Sequence, residues 1–306
     1  MFVPAIHTRG NILLQHSRRA LQSTSCSTFS ALFSTSTQSD DDGPPLLQKL
    51  DENGVLTLTL NRPKHRNALN RELLHNLHTS LTSAANSVSD SNTPVKVVVL
   101  QSHGYVFSSG HDLKELKALS NDQAAIQNLF ELCTETMLAF SSIPQPTICA
   151  VEGLATAAGC QLVASCDVVV ASSLASFQTP GATLGLFCHT PAVPLARCIG
   201  SKQALDMLYT GRELSAKEAL THGLVSRLAK DAQKEAAKIA KEIATESSSA
   251  TIQMGKRVFF QQQSLPEMGD AYKAATQAMV NNMELYDAKH GIASFLQKQK
   301  PDFQDK

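Results

Sequence analysis

The sequence predicts an α/β core followed by an all-helical C-terminal part, and three observations carry that prediction. Short apolar runs rich in β-formers recur at residues 95–100, 147–151 and 168–171, separated by helix-compatible segments. Between the last two lies a small-residue stretch, Gly153-Leu154-Ala155-Thr156-Ala157-Ala158-Gly159-Cys160-Gln161-Leu162, that runs out of a strand and into the start of a helix. From about residue 231 onward the chain reads as helix throughout. Strands alternating with helices, then helices alone, are the pattern of an α/β layer with a helical extension.

Taken in order, residues 54–60 alternate Leu with Thr at period two, a half-buried strand. The polar loop from Asn61 to Leu69 follows, and Asn70 caps a helix whose apolar face is Leu73, Leu74, Leu77 and Leu81. After the strand at 95–100, Gly110 marks a tight turn into polar residues at a helix start, and a long amphipathic helix covers about 122–140 before Pro144 and Pro146. A Gly-punctuated loop spans Phe177 to His189. Ser201 caps a helix ended by Gly211, and Ser215 with Glu218 forms a capping box for a short helix ended by Gly223. A strand at 224–228 precedes the helical part, where Ser264 and Glu267 suggest a second capping box. That box would open a helix carrying Tyr272, Ala275, Met279, Met283 and Tyr286, an apolar stripe fit to dock on the core or on a neighbouring subunit.

The small-residue turn offers unpaired backbone N–H groups at the positive end of a helix dipole, a corner able to hold negative charge, including an enolate oxygen. Ala and Gly at such a place also simply let a helix pack closely on a sheet.

Composition narrows the classes. The 306 residues are 42% hydrophobic and 18% charged, with 27 basic and 27 acidic side chains, so neither a nucleic-acid-binding excess nor an acidic tail stands out. Residues 1–39 hold Arg9, Arg18 and Arg19, no acid, and a Ser/Thr-rich run, the pattern of a mitochondrial transit peptide and of delivery to the matrix. Beyond them the chain carries 24 basic and 27 acidic residues. No apolar run reaches the roughly 18 residues needed to cross a membrane. The seven cysteines include no CxxC pair, which leads us to expect buried thiols, with neither disulfides nor zinc. GxxxxGK[ST], a strand-following GxGxxG and GxSxG are all missing, so no phosphate-loop or serine-hydrolase reading arises.

Five motifs stand in one order and spacing: Leu60-Asn61-Arg62-Pro63-x-x-x-Asn67-Ala68-Leu69, Phe107-Ser108-Ser109-Gly110-x-Asp112-Leu113-Lys114-Glu115, the stretch from Gly153 to Cys166, Phe177-x-x-Pro180, and the segment from Gly211 to Leu228. In this the chain resembles the enoyl-CoA hydratase/isomerase (crotonase) family over nearly all of 46–303. The resemblance implies an α/β spiral of ββα repeats at 46–230, and a C-terminal helical region at 231–306 used in forming a homotrimer or a dimer of trimers. It implies an acyl-CoA ligand, no separate cofactor and a place in fatty-acid metabolism. The oxyanion hole falls on the backbone N–H groups of His111 and Ala158, and His111, Asp112, Leu113, Lys114 and Ala158 line the substrate site. RNA binding, known for some relatives, has no lysine-rich helix here to support it.

The departures matter most. Hydratases of this family hold and split water with two glutamates, whose positions here are Gln161 and Gly181. Glutamine cannot take a proton near neutral pH and glycine offers no side chain, so ordinary hydration of a 2-enoyl-CoA is not expected. If only the carboxylates are missing, Gln161→Glu with Gly181→Glu restores it. Ala158 stands where the family usually has glycine. It keeps the N–H, while its methyl disfavours positive φ and narrows the site. The His111 imidazole is expected to face solvent or the CoA phosphates, and Asp112 to order its loop. His189 and Cys188 lie in the loop that lines the acyl pocket in relatives. Two readings stay open: a catalytically silent acyl-CoA binder, or an active lyase, decarboxylase or thioester hydrolase that relies on the oxyanion hole and a different acid or base.

Overall fold

A computed structural model describes residues 43–87 and 93–305. The transit-peptide segment lies outside the described residues. In chain order the elements are β1 (Leu46–Leu50), β2 (Val55–Leu60), α1 (Arg71–Asn86), β3 (Val97–Ser102), β4 (Val106–Ser108), α2 (Leu113–Ala118), α3 (Gln123–Ser142), β5 (Thr147–Val151), β6 (Leu154–Thr156) and α4 (Ala158–Ser165). There follow β7 (Val168–Ser172), β8 (Ser176–Gln178), a 3-10 turn at Pro180–Leu184, α5 (His189–Cys198), α6 (Ser201–Thr210), β9 (Leu214–Ser215), α7 (Ala216–His222), β10 (Arg227–Ala229), α8 (Ala232–Glu246), α9 (Ser249–Gln263), α10 (Met268–Glu284) and α11 (Tyr286–Leu296).

The strands form a six-stranded sheet, β1-β2-β3-β5-β7-β10, and a four-stranded sheet, β4-β6-β8-β9. Apart from the antiparallel pairs β1–β2 and β8–β9, neighbours are parallel. Each of β3–β4, β5–β6 and β7–β8 leaves one strand in the large sheet and one in the small, then passes into helix. This is a spiral of ββα turns.

Continuous apolar strands follow from burial of the large sheet on both faces. Val98, Leu100, Cys149, Val151, Val169 and Ala171 join the main core with α1, α3 and α4. The alternate residues Val97, Val99, Ile148, Ala150 and Val170 meet Ala232, Ala236, Ile239, Ala240 and Ala244 of α8. Two of the four expected N-caps form: Asn70 accepts from the Leu73 N–H, and Ser215 with Glu218 makes a complete capping box; Asp122, not expected as a cap, accepts from the Ala125 N–H. Gly211 and Gly223 close their helices in the left-handed conformation.

Three expectations are corrected. Gly200, not Ser201, is the N-cap of α6. Ser264 is the C-cap of α9 and Glu267 the N-cap of α10 without a side-chain bond, because α9 runs on to Gln263 and leaves no room for a box. The small-residue stretch is not a single turn, since Leu154–Thr156 pairs as a strand with β4 and β8 before α4 begins.

Candidate active site

The motif from Asn61 to Leu69 builds a platform. Asn67, fully buried at φ 51°, accepts from the Arg62 N–H and donates to the carbonyls of His103 and Val106. Arg62 pairs with Asp112 at 3.3 Å, and Asp112 in turn caps α2 through the N–H groups of Lys114 and Glu115. Asp112 is thus placed to order its loop. Leu113 is exposed, as is Lys114.

The next loop zips onto this platform. Ser109 N–H donates to the Arg66 carbonyl, Gly110 N–H to Ser108 Oγ and Asp112 N–H to the Leu69 carbonyl, while Leu69 N–H donates to Gly110. Leu69 and His111 form a parallel bridge, so the backbone groups of residues 110 and 112 face residue 69 and those of His111 turn the other way. Among the described residues the His111 N–H has no acceptor.

The small-residue turn packs against this loop. A Cβ built on Gly110, which sits at φ 84°, would fall 2.8 Å from the Ala157 Cβ and 3.2 Å from the Ala158 nitrogen. A Cβ on Gly159 would fall 2.6 Å from the Ser108 carbonyl oxygen. These glycines let the two backbones touch. Ala158 opens α4, and its N–H also has no acceptor among the described residues. The unusual conformation belongs to its neighbour: Ala157, not Ala158, takes positive φ (51°, ψ −119°), held by its N–H bond to the Gln178 carbonyl. An alanine there costs on the order of 1–3 kcal/mol, strain of the kind that gathers at functional sites.

Gln161 and Gly181, where the resemblance led us to look for carboxylates, differ in kind. Gln161 is 4% exposed, and its Oε1 has no partner among the described residues. At Gly181 a Cβ would run into the Leu186 carbonyl oxygen and fall 2.7 Å from Cys188 Sγ. The 3-10 turn, closed by Gly185 at φ 74°, folds residues 186–188 back onto Gly181 and bonds Leu186 N–H to its carbonyl. Backbone therefore fills the space a side chain at 181 would need, and Gly181→Glu does not fit without moving the loop.

The His111 imidazole corrects the expectation of a solvated or phosphate-facing ring. It lies edge-on to Phe130 of α3 with ring centroids 5.1 Å apart, and its buried ring nitrogens make no hydrogen bond of good geometry among the described residues, although the Leu69 backbone lies close enough to act on the ring. Burial lowers its pKa from 6.5 to about 4, against a smaller opposing pull from the Leu69 backbone, so it is neutral at pH 7. Sequence reasoning also missed Thr156 and Thr179, whose buried hydroxyls are likewise unpartnered. Nothing local in the sequence signals them. Cys188 is buried and its thiol pKa is pushed up, which keeps it protonated, and His189 opens α5 beside Phe187. The six described cysteines are free, and among the described residues no three His, Cys, Asp or Glu side chains gather to hold a metal.

The loop of His111 and the start of α4 thus lie backbone to backbone within a ββα spiral, each with one N–H that has no acceptor among the described residues. The sequence matches the enoyl-CoA hydratase/isomerase family over residues 51–306, and the chain belongs to that family. It is similar to the rat mitochondrial enoyl-CoA hydratase domain-containing protein 3, 44% identical over 261 residues that cover 84% of each chain. Among solved structures it is similar to human enoyl-CoA hydratase domain-containing protein 3 (TM-score 0.79, 43% identity, 85% of this chain and 100% of that one). An enoyl-CoA hydratase from Mycobacterium smegmatis gives TM-score 0.80 at 41% identity, over 85% and 99% of the two chains.

Proposed function

We propose that the protein is a mitochondrial acyl-CoA thioester-binding member of its family that lacks ordinary enoyl-CoA hydratase activity and serves fatty-acid metabolism in the matrix. The observation that carries this is the pairing of an intact donor corner with two lost carboxylates. The N–H groups of His111 and Ala158 hold the thioester carbonyl oxygen, and each donor is worth on the order of 10²–10³ in rate wherever negative charge develops there. The segment from His111 to Lys114 carries the CoA side of the ligand. Gln161 orients a ligand or a water but removes no proton, and Gly181 lies under the Leu186 carbonyl. Each general acid or base contributes roughly 10²–10⁴, so the hydration rate falls by several orders of magnitude.

An active lyase, decarboxylase or thioester hydrolase is the second reading, favoured by the same donors, because such reactions lean on the oxyanion hole. The mitochondrial names of the relatives and the arginine-rich, acid-free N-terminus support the location. Self-assembly, as a homotrimer or a dimer of trimers, is supported by the apolar stripe of α10 and α11. There Tyr272, Met279, Met283, Tyr286 and Phe295 are exposed on the single chain.

The test is a panel of acyl-CoA thioesters followed by binding heat and by product mass spectrometry. Binding without hydration of crotonyl-CoA is expected. Turnover at roughly 1–10³ per second, typical of enzymes, would overturn the loss of hydratase activity, and no binding of any thioester would overturn the whole reading. Contrary to the expectation from sequence, the double variant Gln161→Glu, Gly181→Glu is expected to restore no hydration, since residue 181 has no space for a side chain.

A further inference from the structure

Two thiols meet where α4 ends, away from the donor corner at its start. Asp167, just past α4, clamps Thr147 at the start of β5. The Thr147 N–H donates to Asp167 Oδ2 at 2.7 Å, and the Asp167 N–H meets the Thr147 carbonyl and hydroxyl oxygens at 3.1 and 3.0 Å. Thr147 therefore turns its side chain towards the end of α4, and Cys149, two residues on, shares that face of the strand. Cys166 is the C-cap of α4, next to Asp167, and packs against the core that contains Cys149. The two thiols act on one another: burial pushes the Cys149 thiol well up, and its interaction with Cys166 adds to the rise.

Their surroundings differ. Cys149 is fully buried, as are Cys133 and Cys160, whereas Cys166 is half-buried, with its Sγ 3.4 Å from the Leu162 carbonyl oxygen. The ammonium of Lys256 stands beside them, 2.7 Å from Asp167 Oδ2. Burial lowers the Lys256 pKa, and Asp167 and, less strongly, Cys166 oppose it, so negative charge arising on the Cys166 sulfur during a reaction meets a cation. A thiol within reach of solutes, with a second thiol behind it and a cation at hand, is placed for oxidation followed by bridge formation.

We propose that Cys166 and Cys149 form a peroxide-reactive site, in which a hydroperoxide oxidises Cys166 and Cys149 then closes a disulfide that ties the end of α4 to β5. The Cys166 sulfur attacks one peroxide oxygen and the O–O bond breaks, which leaves Cys166 as a sulfenic acid and releases water or an alcohol. The Cys149 sulfur then attacks the Cys166 sulfur, the S–O bond breaks, and the hydroxyl leaves as water with the Cys149 proton. The two thiols are oxidised by two electrons and the peroxide is reduced by the same two. None of these residues belongs to the donor corner, so the proposal does not rest on the acyl-CoA reading.

In the experiment the full chain is reduced, freed of reductant, treated with hydrogen peroxide, unfolded in an alkylating agent and mapped by mass spectrometry. The product is expected to have lost the mass of two hydrogen atoms, to contain one pair of peptides joined through Cys149 and Cys166, and to return to its starting mass with dithiothreitol. Cys149 and Cys166 should disappear from the alkylated pool in step, while Cys133, equally buried and with its thiol pKa pushed up to about 12, stays reduced. In Cys166→Ser, Cys149 should stay reduced. In Cys149→Ser, Cys166 should stop at a sulfenic acid that dimedone labels. The proposal is overturned if peroxide bridges a different pair, spares both thiols, or carries Cys166 to higher acids while Cys149 remains open to alkylation. Loss of Cys149 at an unchanged rate in Cys166→Ser overturns it as well. Should a serine variant fail to fold, the joint loss of the two thiols in the unaltered protein, set against Cys133, decides the matter.

Discussion

The sheets with α4 and the C-terminal helices are held in opposite ways. From β5 through α4 no residue is exposed and most are buried, with fully buried Ile148, Val151, Leu162 and Val163 among them. Helices α9, α10 and α11 bury only Ser249, Ala271, Asp287 and Ser294, and leave Phe259, Met268, Tyr272, Met279 and Phe295 exposed. Polar contacts hold them, to the core and to one another. Lys256 of α9 reaches Asp167 and the carbonyls of Phe140 and Gln145, each within 2.8 Å. Asp287 of α11 accepts from Ser248 Oγ and from the N–H groups of Gln304 and Asp305. The core specifies itself by shape, and the C-terminal part is pinned by a few charges while its apolar side faces outward.

The largest expected effect breaks a pin. The Lys256 side chain is 7% exposed and its pKa is lowered by burial, with Asp167 opposing. Lys256→Met leaves the Asp167 carboxylate and two carbonyls without their cation. Denaturant unfolding should show a loss of about 3–5 kcal/mol, as for a buried pair deprived of one partner. A loss below about 1 kcal/mol would mean that apolar contacts hold α9 after all.

The second effect belongs to the core. Because the folded pKa of His111 is lowered to about 4 from 6.5, the unfolded chain takes the proton first. Stability from the neutral ring is intact above pH 6.5 and drains as pH falls towards 4, by up to about 3 kcal/mol. Melting curves of the protein and of His111→Leu should diverge between pH 6.5 and 4. Parallel curves would show that the ring is hydrated. Below this in size stands Gly159→Ala, whose methyl would meet the Ser108 carbonyl at 2.6 Å. It should cost about 1–3 kcal/mol, and it should weaken thioester binding further by separating the loop of His111 from Ala158. A melting point unchanged by the alanine would show slack in the corner.

The same contrast decides what the sequence could disclose. Strands buried on both faces and helices with side-chain caps are local, and residues 147–151, Asn70 and Ser215 announce them. The strand β1 does not alternate cleanly, because Gln48 to Leu50 lie outward on a sheet edge, and it went unread. The three-residue strands β4, β6 and β8 exist through pairing with one another across twenty or more residues, which no local pattern reveals. At the site, the motifs give the positions of His111, Ala158, Gln161 and Gly181. They do not give the direction of the imidazole, the strain at Ala157, or the Leu186 carbonyl that fills the space at Gly181. Those are facts of contact between segments distant in sequence. Nor does the stripe on α10 say by its spacing whether it faces its own core. In the structure Tyr272, Met279 and Met283 face away from it.

The smallest effect tests how weak a pin can be. Lys96, just before β3, pairs with Asp305 at 2.8 Å, both side chains 26% exposed, and Asp305 also accepts from the Ser249 N–H. Burial raises the Asp305 pKa, but Lys96 and Ser249 outweigh it and hold the carboxyl below its usual value. Its contribution is therefore present at neutral pH and fades as the solution becomes more acidic than the ordinary carboxylate range. Water reaches this pair, so Lys96→Met should cost no more than about 1 kcal/mol, and less as salt is raised. Hydrogen exchange gives the sharper measurement, since release of residues 301–305 should raise exchange at Gln304 and Asp305 while β3 keeps its protection. If β3 loosened as well, the tail would be part of the core, and the division between the two regions would fall.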